Sequence, residues 1–294
     1  SKNSINEIMF NSKNISIGLV IVFIFFSCED NYLSDDTFLK GNADSYDGFM
    51  EEGWASYTDG NYSESVEYFQ SASERDATQP EVYLGLGWSQ LKLMDLINAE
   101  SNFQKVISFA FLDEDNATAL TNNANAGMLF IELANGNYLS AITYGNNVIA
   151  ENSNYSFNRD SAINSEAVLF SMAEAYYYLN RISESFDIMV ELGNTFSTTT
   201  LTSDIAMVIG YYDNSAIDGL VNAGLNNGDH LLITVESATI SGLTYDITEI
   251  YEGTNQFDII GNPVPAIGDT INANYYYTTD YAEFMVELIS KITQ

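Results

Sequence analysis

The feature that most constrains this chain is that part of it repeats. Gly53-Trp54 recurs as Gly87-Trp88, Phe69-Gln70 as Phe103-Gln104, and Tyr62 aligns with Leu96, each pair 34 residues apart. A period of roughly 20–50 residues means stacked copies of one supersecondary unit, because a single copy cannot bury its own apolar face. The small residues Ser65, Ala99, Ala141 and Ser185 continue the register at steps of 34, 42 and 44. The excess falls in two segments, Leu112–Thr118 and Glu151–Asn164, which are rich in Asp, Asn and Ser and read as loops. Within each unit an apolar-periodic stretch reaches a turn and a second periodic stretch follows, so each unit reads as a helical hairpin. Gly60-Asn61-Tyr62 and Gly136-Asn137-Tyr138 are clear turns; Met94-Asp95-Leu96 and Asn180-Arg181-Ile182 are degenerate versions. A small residue early in the second helix lets the two helices approach, and Phe69, Phe103 or Met189 four residues later fills the gap between them.

These residues resemble the tetratricopeptide repeat, whose pattern is an aromatic, a Leu-Gly-type pair, a Gly before the turn, an Ala, an aromatic and an Ala. Tyr83, Leu86-Gly87, Ala99 and Phe103 match it, as do Leu169, Met172-Ala173, Tyr176-Tyr177, Ser185 and Leu192. The third repeat departs from it, with Leu129 where a small residue stands and Gly145 where an aromatic stands. The resemblance covers residues 46–195 and implies a right-handed solenoid of about four hairpins whose first helices line a concave groove. The residues it places in that groove are Trp54, Trp88, Phe130 and Glu174, with Tyr57 and Tyr177 one helical turn further along. Aromatic faces of this kind suit peptide side chains or sugar rings. They also suit packing between hairpins, because aromatic stripes at helical spacing commonly belong to a core.

Ahead of the repeats, Lys2 and Lys13 precede an apolar run from Ile15 to Phe26 that ends at Ser27-Cys28. That run is shorter than the roughly 20 residues a membrane-spanning helix needs, and it reads as a processing signal over residues 1–28. Phe25-Phe26-Ser27-Cys28 resembles the lipobox of bacterial lipoproteins, which implies acylation of Cys28 as the new amino terminus. Residues 29–45, rich in Asp, Ser, Asn and Gly, then form a flexible acidic tether. The expected address is the bacterial cell envelope, with membrane association through the lipid on Cys28 alone.

After Asn194 the composition changes. Residues 196–229 read as a linker with one or two short capping helices over 203–225. From His230 the period becomes two, with strand-like runs at 231–235, 244–251 and 270–277. An amphipathic stretch, Tyr281–Ile292, closes the chain with Phe284, Met285, Leu288 and Ile292 on one face. The expected fold class is therefore mainly α: a tetratricopeptide-like solenoid followed by a small antiparallel β-rich (α+β) domain over 230–294.

Charge narrows the function. Nine Lys plus Arg against 41 Asp plus Glu give −32, which repels nucleic-acid phosphates and anionic lipid alike. Lys92 is the one evident cation of the groove, so acidic peptides are poor partners, and no Lys or Arg occurs between Arg181 and Lys291. The single His230, beside Asp229, has no nucleophile motif to serve. Asp113-Glu114-Asp115-Asn116 begins like a calcium loop, but Thr118 occupies the glycine position and no closing Glu follows. No catalytic residue, metal or cofactor is expected. The sequence points to a non-enzymatic scaffold for a protein or peptide partner in the envelope, the role of several tetratricopeptide lipoproteins. The alternative is a glycan-binding lipoprotein of an uptake complex that uses the aromatic stripe.

Overall fold

The computed structural model describes residues 45–197, 202–213, 220–225, 231–235, 238–251, 253–261 and 270–292. The leader, Cys28, the tether up to residue 44 and His230 lie outside the described residues. The chain forms two compact units that divide between Ala175 and Tyr176.

The first unit contains α1 (Tyr46–Thr58), α2 (Tyr62–Arg75), α3 (Pro80–Lys92), α4 (Leu96–Phe109), α5 (Ala117–Ala134) and α6 (Tyr138–Glu151). It also holds the larger part of α7 (Ser165–Tyr178). Consecutive helices pack as antiparallel pairs joined by one kind of turn. After α1, the amide of Gly60 donates to the Tyr57 carbonyl (3.0 Å) and that of Asn61 to Ser56 (2.8 Å). The same two bonds recur as Met94 to Leu91 and Asp95 to Gln90 after α3, and as Gly136 to Leu133 and Asn137 to Glu132 after α5. They recur again as Asn180 to Tyr177 and Arg181 to Tyr176 after α7. Such a pair satisfies orphan carbonyls at a helix end and requires a left-handed residue. That residue is Gly60 (φ 79°), Met94 (φ 61°), Gly136 (φ 76°) or Asn180 (φ 59°). The degenerate turns thus have full turn geometry, with side chains strained at φ values that glycine accepts freely.

Close helix packing follows from missing Cβ atoms. Phe69 of α2 is fully buried, and a Cβ added at Gly53 of α1 or Gly85 of α3 would lie 2.7 or 2.5 Å from its ring. Phe103 of α4 is held in the same way, with 2.7 Å at Gly87 of α3 and 2.3 Å at Gly127 of α5. Ser65 of α2 adds a polar tie, donating to the Gly53 carbonyl (2.8 Å) and meeting Ser89 Oγ at 2.8 Å. The third hairpin inverts the arrangement. Leu129 supplies the bulk from α5 and Gly145 the gap in α6, and a Cβ at Gly145 would stand 2.5 Å from Met172 Sδ of α7. The departure from the repeat pattern is a compensated exchange of volume that keeps Leu129 fully buried.

The second unit carries α8 (Ile182–Glu191), seven described strands and α9 (Tyr281–Ile292). The strands are β3 (Thr202–Asp213), β4 (Leu220–Leu225), β5 (Leu231–Val235), β6 (Ala238–Ile240), β7 (Leu243–Ile250), β8 (Gln256–Ile260) and β9 (Thr270–Thr278). All described pairings among them are antiparallel, in the order β3-β4-β8-β7-β6-β9-β5, and an added β3–β9 pairing closes the first six of these into a ring, with β5 paired to β9 beside it. Leu225, Leu232, Val235, Ile240, Tyr245, Phe257, Ile259 and Tyr275 form its core. Phe186 of α8 is buried against Phe196, Tyr276 and Phe284, and Phe284, Leu288 and Ile292 form the buried face of α9.

Two expectations change here. The capping helices expected over 203–225 are strands β3 and β4 where the structure describes that segment, so the antiparallel unit starts at Thr202 rather than at His230. A continuous apolar run such as Ile205–Ile209 fits a buried helix or a buried strand equally well. Pairing partners distant in sequence, β9 above all, decide for strand. The helix α8, expected to close the repeats, belongs to the unit that contains the sheet.

Opposite responses to glycine test the turn and the clamp in urea unfolding. Met94→Gly removes a strained left-handed side chain and should stabilise the fold by about 1 kcal/mol. Gly127→Ala would stabilise an open helix by about 1 kcal/mol, but against the Phe103 ring it should destabilise by about 1–3 kcal/mol.

Candidate functional site

The segment between α6 and α7, read from sequence as a polar loop, folds into a short hairpin. Asn152 caps α6 and its side chain accepts from the amide of Asn154, turning the chain back. β1 (Ser156–Phe157) then pairs with β2 (Asp160–Asn164), leaving Asn158-Arg159 at the tip, and Asn164 Oδ1 accepts from the Ala167 amide at the start of α7. Phe157 is 1% exposed. Its ring stacks on Trp88 of α3 at 5.0 Å and meets Trp54 of α1 edge-on at 6.0 Å. Trp88 also meets Phe130 of α5 at 6.3 Å and Phe103 at 5.3 Å, and Trp54 meets Phe69 at 4.9 Å. The face shared by α1, α3 and α5 is therefore filled by the chain's own hairpin.

A polar tie holds the hairpin beside this cluster. Lys92 Nζ lies 2.7 Å from Asp160 Oδ2, both side chains being largely buried, and the Tyr57 hydroxyl donates to the same oxygen at 3.4 Å. The Tyr155 hydroxyl donates to Asn123 Oδ1 of α5 at 3.0 Å. Burial raises the phenol of Tyr57 well above its ordinary range, and the Asp160 carboxylate adds to the effect. Tyr155 is raised by the same two causes in the same order. The apolar cluster leaves two donors unmet, for the indole N–H groups of Trp54 and Trp88 are buried with no acceptor. Each such donor costs about 1–3 kcal/mol in lost hydration.

The sequence-derived groove residues separate on this framework. Trp54, Tyr57, Trp88 and Phe130 come together around Phe157, each at most 7% exposed. Neither indole is an open platform for a sugar ring. Glu174 is buried in α7, where its charge is a secondary cause, after burial, of the raised phenol of Tyr138. Tyr177 lies in the second unit, half-buried and edge-on to Tyr178 at 5.7 Å. Sequence reasoning passed over Phe157, Arg159 and Asp160. The signal available was the alternation of Tyr155 and Phe157 before an Asn at a turn.

Beside the filled face an open cleft of about 560 Å³ remains between α1, the start of α3 and the hairpin tip. Met50, Trp54 and Ala55 form its apolar side, and Asp47, Glu51, Asp59 and Glu81 bring carboxylates. Arg159 is the cation of this cleft, its guanidinium 4.9 Å from the Trp54 ring centroid and 3.6 Å from Glu81 Oε1. Tyr46, also at the cleft, has its phenol raised above the ordinary range by burial first and then by Glu81, Asp76 and Asp47. The calcium-like Asp113 instead serves the helix start, accepting from the backbone and side-chain amides of Asn116. Among the described residues no group of three or more His, Cys, Asp or Glu side chains is placed to hold a metal ion. Among them, too, no helix is long and apolar enough to cross a membrane.

No protein-family model matches the chain, and no curated protein matches it. Among solved structures it is similar to a thermophilic TPR protein from Thermus thermophilus, at 15% identity over 50% of this chain and 72% of that one, with a TM-score of 0.36. The helical-hairpin class of the first unit stands on its own recurring turns and glycine clamps.

Two measurements probe the site's construction. Asp160→Asn leaves the Lys92 charge buried without a counterion and should cost about 3–5 kcal/mol. Trp88→Ala should cost about 3–5 kcal/mol through lost burial and cavity formation. Denaturant melting that shows less than about 1 kcal/mol for either would refute the buried tie or the buried cluster.

The phenols set an alkaline limit. Groups whose folded pKa is raised contribute stability that is complete below the unfolded value and is lost as pH rises through the folded one. Stability should therefore hold up to about pH 10 and fall above it. Tyr57→Phe should make that fall shallower, as followed by tyrosinate absorbance and circular dichroism together.

Proposed function

We propose that this chain is a non-catalytic scaffold whose helical-hairpin unit presents a partner-binding face in the bacterial cell envelope, tethered there through lipidated Cys28. The observation that carries the reading is the cleft bounded by α1, α3 and the hairpin tip, where open carboxylates, Ala55 and the Arg159 guanidinium border the half-buried Tyr46 and the largely buried Met50 and Trp54 on a rigid frame. Such mixtures are what protein partners use as anchors and rims. The frame is rigid because the glycine clamps and the Lys92–Asp160 tie fix the helices and hairpin that carry those side chains. A single His without a nucleophile motif gives the chain little with which to assemble an acid–base site. The envelope address is supported by the apolar run that stops at the only cysteine of the sequence. The glycan alternative loses its platform because Trp88 and Phe130 are covered by Phe157 and its neighbours.

A photo-crosslinking residue at Glu51, which lines the cleft, should give a discrete protein adduct in intact cells, while one at the exposed Glu67 of α2 should not. Equal adducts from both positions, or none from Glu51, would reject the partner face. Cys28→Ala should move the protein from the membrane to the soluble fraction, and mass spectrometry showing an unmodified Cys28 in the wild type would reject the tether.

A further inference from the structure

The cleft already holds one ligand-like group, and it belongs to the chain. Arg159 sits at the tip of the β1–β2 hairpin, stacked against the Trp54 indole at 4.9 Å and facing Glu81 at 3.6 Å. Four carboxylates line the same cleft, those of Asp47, Glu51, Asp59 and Glu81. One guanidinium against four carboxylates leaves a strong negative excess beside an apolar wall. Tyr46 lines the same cleft, where burial first and then the Glu81 charge raise its phenol.

The two cations of the hairpin region differ in kind. Lys92 is 5% exposed and locked at 2.7 Å on Asp160, whereas the side chains of Arg159 and Glu81 are 41% and 44% exposed and their contact is long. An exposed ion pair of that length contributes at most about 1 kcal/mol, so Arg159 can swing out while Phe157 and Asp160 stay in place. Trp54 itself is 5% exposed with Arg159 in place, so withdrawal of that guanidinium is what opens the indole face.

Resting on the reading of the helical unit as a partner scaffold, we propose that this cleft binds an arginine side chain of a basic peptide segment, which takes the place Arg159 holds. Guanidinium is favoured over ammonium because a planar cation stacks on the indole and offers several donors to flanking carboxylates at once. A peptide is favoured over a bare cation because the site has an apolar wall and the volume for a side chain with its backbone. The choice also suits a chain of net charge −32, which attracts a basic partner over long range.

Calorimetric titration of the full chain with acetylated, amidated pentapeptides that differ only in a central Arg, Lys or Glu tests the proposal. The Arg peptide should bind about three- to tenfold more tightly than the Lys peptide, and the Glu peptide should not bind. Arg159→Ala removes the resident competitor and should tighten Arg-peptide binding by about threefold or more, while Glu51→Gln should weaken it. Both side chains are on the surface, and unchanged circular dichroism and melting confirm that the variants fold. Equal affinity for Arg and Glu peptides, or no response to Arg159→Ala, would overturn the proposal. The Glu51 crosslink separates this failure from failure of the scaffold reading. An adduct formed through a neutral or acidic segment sinks the arginine site and keeps the scaffold, and absence of any adduct sinks both.

Discussion

A phenylalanine ring can lie against two helix backbones at once only where neither backbone carries a Cβ, and the helical unit is built on that constraint. Phe69 and Phe103 each occupy a slot between two glycines of successive first helices, at distances where an alanine would collide. The slot couples neighbouring hairpins, because each Phe comes from the second helix of one hairpin while its glycines come from the first helices of that hairpin and the next. Stacking is thereby set by the same atoms that set pairing within a hairpin. The third hairpin meets the demand with the roles reversed, Leu129 and Met172 converging on Gly145. What is held constant from one hairpin to the next is the volume between backbones, with residue identity free to move around it.

That packing brings the first helices close enough for one inserted hairpin to reach several of them. Phe157 touches both tryptophans, Tyr155 bonds to α5, and Asp160 draws Lys92 of α3 and Tyr57 of α1 to a single oxygen. A buried ion pair gains little over apolar packing in net stability, and its better-attested value is to specify one arrangement. Here the arrangement is the seating of the hairpin, which carries Arg159 at its tip. The aromatic stripe thus becomes an interior feature, and the surface left for a partner moves toward the start of α1 and the carboxylates around it.

The legible part of the fold was the part encoded in local periodicity. Offsets of 34 residues between Gly53 and Gly87 and between Phe69 and Phe103 pick out the residues that clamp one another, and turns at Gly60 and Gly136 announce their left-handed backbone. Met94 and Asn180 occupy the same turns without glycine, so register located them where composition did not. Strands β3 and β4 were hidden because an apolar run has no period of its own, and their partners lie as far away as residues 270–278. The hairpin was hidden because a two-residue strand leaves only the single alternation of Tyr155 and Phe157 among polar neighbours, although Phe157 proves to be among the most buried residues. The site was legible as an aromatic set and illegible as a closed one, since sequence spacing tells which side chains share a face and nothing of what covers it.

The placement of the few cations follows from the same geometry. In so acidic a chain each positive charge lowers the local self-repulsion, and the surplus of carboxylates offers every cation several partners. Lys92 is buried and held on an Asp160 oxygen that also accepts from the Tyr57 hydroxyl, so its charge is closed off from solvent. Arg159, two residues beyond Phe157, is carried past the buried cluster to a point where one face meets an indole and the rest meets water and carboxylates. Burial of Phe157 fixes the hairpin that delivers Arg159 to the cleft, while the short turn at Asn158-Arg159 leaves its long side chain partly exposed at the end. One inserted hairpin therefore makes a permanent charge contact with Asp160 and an exchangeable one with Arg159, and the difference between them comes from how much water each retains.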